Sequence, residues 1–119
     1  KDDMQIMTPE IRSEVLDYVG ELKAVGGTNI FGSLKEAFSM AGVDTEASAQ
    51  EWANPIADTI FLLTDGTATV GVVTNSDGIL SHVNLAAGIV LHTIGLSGAQ
   101  DAYLLSTLAK QNHGEYVAH

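Results

Sequence analysis

The sequence contains no cysteine, which excludes a disulfide framework and any thiolate zinc site. It is also poor in bases, with five Lys and Arg against fifteen Asp and Glu and a net charge of −10. The bases Lys1, Arg12, Lys23, Lys35 and Lys110 are scattered, whereas neutralising nucleic-acid phosphates needs them clustered. A nucleic-acid partner is therefore not expected. No apolar run approaches 18 residues, so no membrane-inserted helix is expected, and nothing at Lys1 has the pattern of a signal peptide. There is no GxxxxGK[ST] phosphate loop, and the double glycine at 26–27 lacks the GxGxxG pattern.

What the chain does have is enough for one domain: 119 residues, 45% of them hydrophobic. Thr8-Pro9 reads as an N-cap with Pro in the first helical turn. Ile11, Val15, Tyr18, Val19 and Leu22 follow at helical spacing toward Gly26-Gly27. A second helix is expected over 32–41, with Leu34, Ala37, Phe38 and Ala41 on one face. Residues 43–57 have weak periodicity and read as a surface insertion, in which Trp52 pins the loop or anchors a partner.

Residues 59–63 (TIFLL) form an apolar, β-branched and aromatic run that stops at Thr64-Asp65-Gly66, as expected of a strand buried on both faces. A helix from 76 to about 87 precedes a second apolar run over 89–94. Asp101 opens a helix with Leu104, Leu105, Leu108 and Ala109, closed by Asn112-His113-Gly114 with Gly as the stop. A short strand over 115–118 ends the chain. Alternating strands and helices imply an α/β fold: a parallel sheet with right-handed crossovers and helices on both faces. Ligands in such folds gather beyond the carboxyl ends of the strands, where Asp65 sits.

At that end the polar atoms are oxygens. Thr28 offers a hydroxyl in GGTNIFG, where Gly26 and Gly27 allow close approach, and Asp65 offers a carboxylate where Gly66 turns the chain away. These are donors for a hard cation such as Mg²⁺. Each motif also has an ordinary reading, a helix cap for Thr28 and a turn for Asp65-Gly66. The four histidines, His82, His92, His113 and His119, are too dispersed for a metal-ligand spacing. Asp65-Gly66-Thr67 is reminiscent of a phosphatase nucleophile loop, but Leu63 stands where the attacking Asp would be, and no nucleophile–base pair is placed together. An enzyme is not expected.

GGTNIFGSLKEAF, DTIFLLTDGTATVG and IVLHTIGLSGAQDAYLLSTLAKQNHGEYVAH, in that order, resemble the C-terminal part of the von Willebrand factor type A (vWA) domain, in a form common among bacterial proteins. The resemblance runs from about Thr8 to His119. It implies a Rossmann-like, three-layer parallel sheet with a metal-ion-dependent adhesion site (MIDAS). Mg²⁺, or Mn²⁺ or Ca²⁺, would there bridge to an acidic group of a protein ligand. Thr28 matches the family's threonine and Asp65 its aspartate. Gly27, Asn29, Gly66, Thr67 and Thr69 fall on the loops that would contact the partner.

The family's Asp-x-Ser-x-Ser segment has no match, since Asp44-Thr45-Glu46-Ala47-Ser48 has Glu in the middle and follows no strand. Metal binding by this chain alone is therefore expected to be weak or nil. The start at Lys1-Asp2-Asp3 without an initiator Met reads as an excised or processed piece lacking the N-terminal strands. A second chain, the N-terminal half or an exchanged segment is then expected to cover the open edge of strand 59–63. The resemblance leans toward an extracytoplasmic setting. The alternative function is a structural or oligomerisation module with an incomplete, non-metal-binding site.

Overall fold

The computed structural model describes residues 5–42, 56–83 and 89–119. The element order is α1 (Pro9–Glu21), α2 (Ile30–Met40), β1 (Thr59–Thr64), α3 (Ser76–Val83), β2 (Val90–Gly95), α4 (Ala102–Gln111) and β3 (Tyr116–Ala118). The three strands form a parallel sheet in the order β1-β2-β3. Thr59 pairs with Val90 and Thr64 with Gly95, so β1 and β2 end level with each other. The α/β class and parallel crossovers expected from the sequence are what the chain forms.

Helix starts follow the local chemistry. The Thr8 hydroxyl accepts from the Ile11 amide at 3.2 Å with Pro9 in the first turn, and Asp101 Oδ1 accepts from the Leu104 amide at 2.9 Å. α2 begins two residues earlier than its apolar spacing suggests. Its N-cap is Asn29, whose Oδ1 accepts from the Gly32 amide at 2.9 Å, and this brings Ile30 into the core. α1 stops at Glu21, short of the expected Gly26-Gly27, and buries none of its residues.

One core lies between the sheet and α2, α3 and α4. Leu34, Phe38, Ile79, Leu91, Leu104 and Leu108 are buried there, with Ile60 and Leu62 packed against them. Thr93 is buried in β2 and its hydroxyl donates to the Leu105 carbonyl at 2.8 Å, fixing α4 to the sheet.

The burial expected for β1 on both faces is not found. Ile60 and Leu62 point into the core, but Phe61 is 62% and Leu63 56% exposed. Neighbouring parallel strands joined in order by right-handed crossovers put their helices on the same side. The crossover helices α3 and α4 therefore share one face, α2 joins them there through Ile30, Leu34 and Phe38 in the same buried cluster, and no described helix covers the other. On the open face His92 stacks on Phe61, with ring centroids 5.1 Å apart, and its Nδ1 accepts from the Glu115 amide at 3.1 Å.

The end of α4 also differs in detail. His113, not Gly114, takes the left-handed conformation (φ 57°), and the Gly114 amide donates to the Ala109 carbonyl at 2.9 Å. Gly114 is required for another reason: a Cβ there would run into the Leu91 carbonyl oxygen. The insertion over 43–57 with Trp52, the Asp44–Ser48 segment and the far end of the helix expected to reach 87 fall outside the described residues, apart from 56–57.

Candidate metal centre

β1 ends in a turn closed by its own last side chain. The Gly66 amide donates to the Thr64 hydroxyl at 3.3 Å, and that hydroxyl donates to the Gly66 carbonyl at 3.2 Å. Thr64 is buried while Asp65, the next residue, is exposed at the carboxyl end of the sheet. The strand end is tied to β2 as well, because the Leu96 amide donates to the Thr64 carbonyl at 2.8 Å.

The loop carrying Thr28 is clamped to the loop that follows Asp65. The Thr28 amide donates to Thr69 Oγ1 at 2.8 Å, and the Thr69 and Val70 amides donate back to the Thr28 carbonyl at 2.9 and 3.2 Å. Gly26 holds φ at +78°, a conformation suited to glycine. A Cβ on Gly27 would lie 2.7 Å from Thr69 Oγ1, so the two loops approach as closely as a glycine permits. With Asn29 capping α2, the Thr28 hydroxyl is not used as that helix's cap. It faces the Asp65-Gly66 turn, since a Cβ on Gly66 would sit 3.8 Å from Thr28 Oγ1.

The structure therefore brings Thr28, Gly66 and Thr69 together beside Asp65. Thr67 and Asn29 are exposed around them. Thr69 and Asn29 also have structural duties, Thr69 in the clamp and Asn29 as cap, and the carbonyl of Asn29 accepts from Ser33 Oγ at 2.8 Å. A cleft of about 560 Å³ opens next to Asn29, between Phe31, Val72, Val73 and His82. Among the described residues no three His, Asp or Glu side chains gather as a metal-holding group. Among the described residues, the donors that meet here are a hydroxyl and one carboxylate. These hard oxygens fit an Mg²⁺-like ion that keeps several waters.

Ser97 was not marked by the sequence: a serine in Gly95-Leu96-Ser97-Gly98 has the composition of an ordinary loop. Its Oγ donates to the Asp65 carbonyl at 2.9 Å. Farther off, Tyr103 donates to Asp77 at 3.2 Å, and the Asp77 carboxylate raises the phenol's pKa above its usual value.

A family model, von Willebrand factor type A domain, matches residues 3–118. The chain belongs to that family. A search of curated proteins gives no match. Membership makes this vWA domain a protein-interaction module in general terms, on a Rossmann-like fold. No helix of the described residues is long and apolar enough to cross a membrane.

Proposed function

We propose that this vWA domain binds a protein partner through a hard divalent cation held by Thr28 and Asp65. The observation that supports the reading best is the loop clamp: three hydrogen bonds between Thr28 and residues 69–70 turn the Thr28 hydroxyl toward the Asp65-Gly66 turn. Donor chemistry favours Mg²⁺, with Mn²⁺ or Ca²⁺ as substitutes. A bound ion would supply an electrophilic point on which a partner's carboxylate can settle, despite the domain's net charge of −10. Asn29, Thr67 and the apolar walls of the adjacent cleft, Phe31, Val72 and Val73, border the contact. With two protein donors the intrinsic affinity is low, because Mg²⁺ gives up its waters reluctantly.

The role is binding rather than catalysis. The contact between Ser81 Oγ and His82 Nδ1, at 3.2 Å, is no nucleophile–base pair: both atoms lie within bonding distance of the Gly78 carbonyl, to which Ser81 donates at 2.9 Å. A purely structural or oligomerising role is the second reading. It draws on the exposure of Phe61 and Leu63 on the open side of β1.

Calorimetric titration with Mg²⁺ and Mn²⁺ separates the two. The proposal expects weak, saturable heat that vanishes in Asp65→Ala and shrinks in Thr28→Ala, with Asp77→Ala unchanged. Equal heats in all four proteins would leave the structural reading.

A further inference from the structure

The turn that carries Asp65 and the last strand of the chain meet at one residue. Ser97 Oγ donates to the Asp65 carbonyl at 2.9 Å, and the Ser97 amide donates to the His119 carbonyl at 3.2 Å. The His119 amide in turn donates to the Gly95 carbonyl at 2.8 Å, so His119, directly after β3, bridges Gly95 and Ser97 and extends the β2–β3 ladder to Ser97. The Ala99 amide approaches Ser97 Oγ at 3.4 Å and steadies the hydroxyl.

Ser97 makes these contacts at φ 91°, outside the regions that side-chain-bearing residues ordinarily occupy. Glycine would sit there without strain, and Gly98 is the very next residue. A strained backbone persists when its surroundings over-determine it, and such positions cluster where geometry matters to function. What Ser97 has and glycine lacks is the hydroxyl, and the hydroxyl goes to Asp65.

We propose that Ser97 is a positioning residue for Asp65, and that docking of β3 sets Ser97. On this account the C-terminal strand fixes the height of the 64–66 turn over the sheet. Detaching its end lowers cation affinity without touching either donor. The purpose assigned to the coupling rests on the Thr28–Asp65 reading, but the coupling itself is mechanical and can be measured without metal.

The test is amide exchange by NMR at Gly66 and Leu96 in the metal-free chain, paired with Mn²⁺ titration, for wild type, Ser97→Ala, Ser97→Gly and His119→Pro. Ser97→Ala loses the hydroxyl and keeps the strained φ. Ser97→Gly loses the hydroxyl and relieves the strain, so its melting temperature should lie above that of Ser97→Ala. Positioning predicts that both nonetheless speed Gly66 exchange to the same degree, about fivefold, the worth of one net hydrogen bond. His119→Pro, which removes the donor to Gly95, should do likewise with Ser97 intact, and Mn²⁺ affinity should fall in parallel.

Exchange that follows melting temperature, or does not change, overturns the proposal even if wild type binds Mn²⁺. A wild type that binds no Mn²⁺ overturns the metal reading and the purpose drawn from it. Exchange quickened equally in the three variants would still support the link from β3 through Ser97 to Asp65.

Discussion

At position 114 the space for a side chain is already taken by backbone atoms of Leu91 and His92 in β2, where Leu91 is fully buried. Gly114→Ala should therefore lower stability by about 1–3 kcal/mol, the usual cost of forcing extra volume into a packed interior. Urea denaturation measures it, and a loss under about 0.5 kcal/mol, typical of a surface change, would contradict the geometry. His113 and Gly114 divide two duties, left-handed turn and close approach, that the sequence suggests fall on the glycine alone. Composition shows that a helix stops there, not which residue takes positive φ. The same holds at 28–29. Either Thr28 or Asn29 could cap a helix, and only the position of the first turn assigns the role to Asn29 and leaves the Thr28 hydroxyl facing the Asp65-Gly66 turn. Ser97 carried no local signal, because its role depends on residues 32 positions earlier and 22 positions later in the chain.

The strands and α4 were legible as elements. Their apolar runs end sharply at Thr64-Asp65-Gly66 and Gly95, and Asp101 caps the last helix. The cover of those strands was not legible. An apolar run states that both faces of a strand seek burial, while topology decides which neighbours arrive. Here α2, α3 and α4 occupy one side and leave Phe61 and Leu63 on the other, with β1 at the edge of the described sheet. α1 shows the same limit. Its cap and spacing made it recognisable, yet Val15, Leu16, Tyr18 and Val19 are exposed.

An apolar parallel strand that, among the described residues, has an unpaired edge and an uncovered face is a template for another chain. The chain should accordingly self-associate with rising concentration in sedimentation velocity. Leu63→Lys, placing a charge on the open face, should shift it toward monomer with little change in thermal stability. A wild type that stays monomeric over the whole range would show that this surface needs no cover.

For the molecule as a whole, the family match supplies a general interaction role. The carboxyl ends of β1 and β2 stop level, the loops at 26–29 and 66–70 clamp each other above them, and β3 reaches the same corner through Ser97. An acidic protein attracts cations over much of its surface, so bulk uptake of metal says little about any one site. Location is the decisive quantity. Substoichiometric Mn²⁺ added to isotope-labelled chain broadens the NMR signals of nuclei near the bound ion. A cation held by Thr28 and Asp65 should first erase the amide signals of residues 27–29 and 64–67, with that pattern lost in Asp65→Ala. Broadening centred instead on the exposed acidic residues of α1, such as Glu10, Asp17 and Glu21, or left unchanged by Asp65→Ala, would contradict the account.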